Sequence, residues 1–283
     1  MSPHRRRMNK AFKWCCRITT YGAIGVLALL LFHIAYEGMS WISWDFITNF
    51  PSRKAEKAGI YTALVGSVYV MVITTLFVVP FGIGTAIYLE EYASQKSLFI
   101  RFVKLNIANL AGMPSIIYGL LGLTLFVRIM GLDRSILAGS LTLGLLVLPV
   151  IIIASQEAIR AVPQMVREAG FAMGARRYQV VIWQVLPAAI PGIMTGIILA
   201  ISRAVGETAP LIVIGALSYV AFLPEDMFDM FTVLPVQIYN WAGRPQPEFH
   251  SLAAAGIIVL LAFLFTLNSI AVLIREKFQR YKL

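Results

Sequence analysis

Acidic side chains are scarce in this sequence, with 14 Asp and Glu among 283 residues beside 24 Lys and Arg. Charge of either sign makes up 13% of the chain, about half the ordinary ~25% share. That excludes disorder, which needs abundant charge and little hydrophobicity. Cysteine is nearly missing: Cys15 and Cys16 are neighbours, a spacing that rarely suits disulfide geometry. No oxidised framework follows; lipid modification or interfacial packing would suit the pair. His4, His33 and His250 lie far apart, so no metal site is expected. None of the eight lysines follows a glycine, which excludes a Walker A nucleotide loop. There is no Gly-x-Ser-x-Gly elbow and no pair of intramembrane aspartates. No catalytic residue and no bound cofactor are expected, and no internal repeat or low-complexity segment stands out.

What the chain has is hydrocarbon. Apolar residues form 59% of it against a usual ~45–50%, and the mean hydropathy is +0.77. A folded soluble domain buries only about 70% of its surface and cannot hide that much. The fold class is therefore all-α integral membrane. A spanning helix needs about 20 mostly apolar residues, and six stretches qualify: 18–36, 61–89, 107–127, 136–154, about 188–214, and 251–274. The first follows a basic stretch, yet its apolar run is too long for a cleaved signal. It reads as an uncleaved span. Residues 1–17 then form a basic tail, and 18–283 a single transmembrane domain.

Six spans place both termini on one side. With the N-terminus inside, the inner segments 1–17, 90–106, 155–187 and 275–283 hold seventeen Lys and Arg, and the outer loops hold six. That imbalance follows the positive-inside rule, so the +10 net charge reads as topology and not as nucleic-acid binding. Trp41, Trp44 and Trp241 fall at outer boundaries, where amphipathic rings settle.

The inner segment 155–187 carries Pro163-Gln-Met-Val-Arg167-Glu168-Ala169-Gly170-Phe-Ala-Met-Gly174. Proline suits a first helical position and glycine a helix end, which predicts about eleven helical residues. Met165, Ala169, Ala172 and Met173 share one face. A short helix between two spans suits docking into a groove of a soluble partner, and equally an ordinary interfacial loop. Its residues carry a resemblance: Glu168-Ala169-Gly170-x3-Gly174, with Leu186-Pro187 following, resembles the EAA loop of ABC importer permeases. Gly170 replaces the usual third-position Ala, and Gln184 stands where Ile is usual. The resemblance implies that Arg167, Glu168, Ala169, Gly170 and Gly174 belong to a coupling helix seated on an ATPase subunit. It also implies that ATP and Mg are used by that partner chain.

The fifth span contains Ile201-Ser202-Arg203-Ala204-Val205-Gly206-Glu207-Thr208-Ala209-Pro210-Leu211. A charge near the bilayer centre costs at least ~2.5–3.5 kcal/mol and usually faces a bundle interior or cavity. Arg203 and Glu207 are four apart and share a helix face. Counted from Ala188, Arg203 falls ~22 Å along the helix, in the outer half of a ~30 Å core. A guanidinium fork matches a phosphate oxyanion. Three readings fit: a structural ion pair, direct contact with a passing anion, and a gate that exchanges partners. Pro80 and Gly82 in span two, and Pro114 near the start of span three, permit kinks and close packing, as does Pro210. Gly192, Thr195, Gly196 and Ala200 predict a close-packing face on span five.

The Arg203-Ala-Val-Gly-Glu207-Thr208 stretch resembles the permeases of the Pst phosphate ABC importer, and Ala209-Pro210-Leu211 looks like the PstA type. Pro80-Phe81-Gly82, Tyr88-Leu89-Glu90-Glu91-Tyr92, Pro114-Ser115, Tyr118-Gly119 and Ile193-Met194-Thr195-Gly196 extend the resemblance over nearly the whole chain. It implies a multi-pass inner-membrane permease with cytoplasmic termini, paired with a PstC-like permease, a PstB-like ATPase dimer and a PstS-like phosphate-binding protein. Ser202, Arg203, Glu207 and Thr208 would line or gate the phosphate path. The alternatives are a PstC-like or other oxyanion ABC permease, and an ion-coupled secondary transporter with Glu207 and Pro210 at a broken helix. A purely structural scaffold needs no intramembrane arginine, and Arg203 counts against it.

Overall fold

The computed structural model describes the backbone of residues 3–216 and 219–280 and the side chains of 8–10, 12–216 and 219–277. Arg5, Arg6 and Arg7 of the basic tail, and Lys282, therefore lie outside the described side chains. Regular structure among the described residues is helical, with one isolated bridge between Ser135 and Met230. In chain order the helices are α1 (Pro3–Gly38), α2 (Trp44–Thr48), α3 (Tyr61–Ile87), α4 (Leu98–Ala111), α5 (Ser115–Gly122) and α6 (Ile136–Arg160). They continue with α7 (Gln164–Ala172), α8 (Arg177–Val180), α9 (Leu186–Val205), α10 (Ala209–Ile214), α11 (Leu234–Ala242) and α12 (Pro247–Arg280). Wider π-helical turns extend α3 through Tyr92 and α5 through Ile129, and join α8 to α9.

Among the described residues five helices are long and apolar enough to cross a membrane, and the number is six if one bent pair counts as a single span. That pair corrects the expected third span, 107–127. The chain turns through 105° between α4 and α5, so 107–111 end one helix and 115–129 form another. Pro114 is the cause: it has no N–H to donate and drives Met113 out of helical backbone. Gly112 supplies a weak helix former beside it.

The fifth span needs the second correction. The continuous helix runs from Arg177 to Val205, and the backbone leaves helix at Gly206–Thr208 before α10 begins. Pro210 explains the break. Its ring would clash with the carbonyl four residues back, that of Gly206, whereas the first turn of a new helix tolerates it.

α3 and α6 form the core pair, and α9 lies against α6. Buried Val78, Val147, Ile151, Ile159, Ile193 and Ala200 knit these helices together, with Tyr118 of α5 in the same cluster. Backbones approach closely where Gly192 and Gly196 meet Ala158 and Ala154, leaving no room for a Cβ. Thr195 departs from that expected face: it is exposed and turned towards α12. Buried polar atoms find partners, as Thr74 Oγ1 donates to Ser140 O at 3.1 Å and Ser67 Oγ accepts from Leu234 N at 2.8 Å. α1 runs unbroken across residue 17, and the apolar stretch that follows has no cover within this chain.

Candidate functional site

Two places in the fold gather the chemistry: the end of the bundle that carries α7, and the break between α9 and α10. α7 is nine residues long, two shorter than the sequence predicts, because Pro163 is extended and Met173 leaves helical backbone, each capping the helix from outside. At its other end Gly174 adopts φ +81°, which an L side chain enters only at a cost of ~1–2 kcal/mol. Its N–H donates to Phe171 O at 2.9 Å, and the next N–H, of Ala175, reaches Gly170 O at 3.2 Å. This pair of bonds satisfies carbonyls the helix end would orphan.

The face of α7 turned into the protein holds Val166, Arg167 and Gly170; Met165, Glu168, Ala169, Ala172 and Met173 are exposed. Met165 and Met173 are 77% and 87% exposed, an apolar stripe with no cover in this chain. A Cβ on Gly170 would lie 2.5 Å from Gln184 Oε1 and 2.8 Å from a Val180 methyl. The two departures from the resembled loop thus meet in space: the small residue at 170 makes room for the longer one at 184.

Arg167 is part of the anchor and not of the exposed stripe. Its Nη2 and Nε donate to Glu91 Oε1 at 2.7 and 3.0 Å, and its guanidinium also reaches the carbonyls of Ile159 and Val162. Glu90, one residue away, accepts from Lys104 of α4 at 2.7 Å and from Gln156 and Arg160 of α6 at 3.1 and 3.0 Å. Neighbouring helical residues point about 100° apart, so consecutive glutamates grip different helices. The end of α3 becomes a hub joining α4, α6 and α7. The sequence offered one signal for it, two adjacent acids in a chain with 14.

At the break, Arg203 occupies the last turn of α9 and Glu207 lies just past the helix end. Their 3.3 Å contact, Nε to Oε1, holds across the broken backbone. The Arg203 side chain is 49% exposed and that of Glu207 17%. Glu207, Ala204 and Val205 line one gap with Met71 of α3 and Leu143 of α6. Those two residues lie ten and seven positions inside their helices, about 10–15 Å from the end opposite α7. Arg203 is within electrostatic reach of the Tyr118 hydroxyl on α5. Ser202 Oγ sits 2.6 Å from Asn268 Oδ1 on α12 and 2.7 Å from Ile198 O. Thr208 stays local, 3.5 Å from Gly206 O. Of the four, Arg203 and Glu207 are brought together, Ser202 ties α9 to α12, and Thr208 joins neither.

The predicted kink residues are placed as follows. Pro80 lies inside an unbroken α3, and a Cβ on Gly82 would strike Ile151. Pro114 stands at the α4–α5 turn, and Pro210 in the first turn of α10, whose backbone packs on Gly119 of α5.

A polytopic helical bundle with a short amphipathic helix slung below its core is the shape of a membrane permease that answers to a soluble motor. The family described as "Binding-protein-dependent transport system inner membrane component" matches residues 79–280, and the chain belongs to it. "Probable ABC transporter permease protein YqgI" of Bacillus subtilis (strain 168) is 33% identical over 86% of this chain and 86% of its own length. "Phosphate transport system permease protein PstA" of Haemophilus influenzae is 33% identical over 93% of this chain and 92% of its own. Among solved structures, a bacterial ABC transporter involved in import of the acidic polysaccharide alginate superposes with a TM-score of 0.62 at 16% identity. It covers 95% of this chain and 99% of that one, which establishes the shared fold. The chain is thus a multi-pass inner-membrane permease, not an enzyme.

Proposed function

We propose that this chain is the PstA-type half of an ATP-driven inorganic phosphate importer. Full-length likeness to a PstA permease supports the substrate class, and the Arg203–Glu207 pair at the helix break carries the reading: a half-exposed guanidinium held at 3.3 Å by a carboxylate that itself lines a narrow gap inside the bundle. A PstC-like permease completes the path, a PstB-like ATPase dimer receives the exposed stripe of α7, and a PstS-like protein delivers phosphate at the end opposite α7. The termini and α7 face the cytoplasm, the side where Lys and Arg concentrate.

In this mechanism ATP and Mg are handled by the partner ATPase. Closure of the ATPases pushes α7, and the push enters the bundle through the Arg167–Glu91 contact and through the α8–α9 helix. Phosphate released outside meets Arg203; Glu207 holds the guanidinium when the anion is absent. A weak site is required, since an anion bound too tightly would not leave.

Uptake by the reconstituted four-component complex tests the function. It should require ATP and the binding protein, survive collapse of the proton gradient, and yield to phosphate but not to sulfate or molybdate as competitor. Uptake that proceeds without the ATPase and stops with the gradient would establish a secondary transporter instead. The docking face has its own test. Gly174→Arg cannot adopt the capping conformation cheaply, so the chain should insert normally while the ATPase detaches or runs uncoupled. Normal ATPase co-purification with phosphate-stimulated hydrolysis would refute docking at α7.

A further inference from the structure

One stripe of α9 is left uncovered by the rest of the chain. Thr195, Leu199 and Arg203 follow one another at helical spacing, and all are exposed. Ala189, Ile193, Ile197, Ala200 and Ala204, on the other side, are buried. Arg203 marks one end of the stripe. At the other end a second guanidinium arrives from a different helix: Arg275 of α12 places Nη1 3.3 Å from Thr195 Oγ1.

Arg275 differs from three arginines elsewhere in the bundle. Arg160, Arg167 and Arg203 each hold a carboxylate. No carboxylate stands within ion-pair distance of Arg275 among the described residues, and its buried Nε has no hydrogen-bond partner there. Arg275 opens the inner segment 275–283, but its guanidinium reaches back to Thr195 of α9. Next to Thr195, Gly196 rests on Ala154, six residues inside the end of α6 at Arg160, about 9 Å in. A cation there without a counter-charge is costly. The cost falls when an anion supplies the missing charge. Thr195 Oγ1 donates to Pro191 O at 2.9 Å, and turning that proton outward would add a donor beside the guanidinium.

We infer that Arg275 and Thr195 form a second, inner station for a phosphate oxyanion, eight residues along the uncovered stripe from Arg203, or about 12 Å. This inference rests on the phosphate reading above. Two weak stations in series let an anion leave the first without meeting bare hydrocarbon, and conduction generally favours several weak sites over one tight one. Arg203 receives the anion at the end opposite α7; Arg275 holds it before release at the α7 end. The same chemistry would also hold a lipid headgroup phosphate, so the two sources must be separated.

The test uses the assembled complex in proteoliposomes, with Cys15→Ser, Cys16→Ser and Leu199→Cys as reporter between the stations. Modification of the reporter by an anionic thiosulfonate is followed in the nucleotide-free state while inorganic phosphate is titrated from the α7 side. With Arg203→Gln added to isolate the inner station, phosphate should still slow the modification. Arg275→Gln should then raise the half-protecting concentration about tenfold, the worth of one charge-assisted bond. Arg275→Lys should recover most of that change, and Thr195→Val, which removes only a hydroxyl, should give a smaller rise. Protection indifferent to Arg275 and Thr195 would overturn the inner station. So would protection that follows the anionic lipid content of the vesicles and not the added phosphate. Loss of all protection in every background, with Arg203 intact, would remove the phosphate reading itself.

Discussion

Gly170 and Gln184 explain one another only in three dimensions. Separately, each is an odd choice: glycine inside a helix costs ~1 kcal/mol against alanine, and a glutamine amide half-buried among apolar side chains needs a reason. Together they fit, since a Cβ at 170 would collide with the amide of 184 and with Val180. Gly170→Ala should therefore lower the melting temperature in detergent despite its better helix propensity. Gln184→Ala in the same chain should recover part of the loss, leaving Val180 as the remaining clash. A double-mutant cycle should return a coupling of about 0.5 kcal/mol or more; additive effects would mean the two residues do not share the space. The ion pair of Arg167 and Glu91 is a sharper case, with side chains 14% and 9% exposed. Removing one member of a buried pair costs about 3–5 kcal/mol, so Glu91→Ala should destabilise the permease by that order in thermal unfolding.

At the scale of elements, the central relation is between α7 and the end of α3. In the proposed mechanism the Arg167–Glu91 contact gives motion a second route through α3, beside the covalent route through α8 and α9. α3 leads to Met71, which faces the same gap as Glu207, so a push on α7 reaches the Arg203 region from two sides. Arg167→Glu should leave ATPase docking intact and lower the phosphate carried per ATP hydrolysed; adding Glu91→Arg should restore part of that ratio. An unchanged ratio in the single variant would confine coupling to α8–α9. These elements also show what hydropathy can and cannot convey. Runs of apolar residues locate crossings because the bilayer demands about 20 of them. A running average carries no direction, however, so α4 and α5 merge into one span although Gly112 and Pro114 stand between them. The break after Val205 was written in Gly206 and Pro210, yet the apolar residues beyond it hid the interruption. The Arg203–Glu207 contact was legible because spacing alone makes it. The partners of Glu90, Glu91 and Arg275 lie on other helices, and no local pattern encodes those.

For the whole molecule, charge and cover set the arrangement. Lys and Arg gather at the α7 end, and the acidic hub of Glu90 and Glu91 neutralises part of them while tying four helices together. Large apolar surfaces remain bare: the stretch of α1 beyond the tail, much of α12, and a groove between α3, α9 and α12 lined by Met71, Thr75, Ile198, Ile201, Phe263 and Asn268. A permease that works as half of a pair needs such surfaces for lipid and for its partner. Orientation can be checked directly. With Cys15→Ser and Cys16→Ser, a Met165→Cys reporter on α7 should react with an impermeant maleimide in inside-out vesicles and not in intact cells. Reaction in intact cells would invert the topology and remove the coupling role of α7. More specific than orientation is the proposed role of the half-exposed guanidinium at the broken end of α9 in handling the transported anion. The most direct measurement is radiolabelled phosphate uptake, with ATP hydrolysis in parallel, by proteoliposomes carrying Arg203→Gln or Arg203→Lys. Arg203→Gln should lose most uptake while the complex still assembles and hydrolyses ATP, and Arg203→Lys should retain a part of it; undiminished uptake by a normally assembled Arg203→Gln complex would contradict the account.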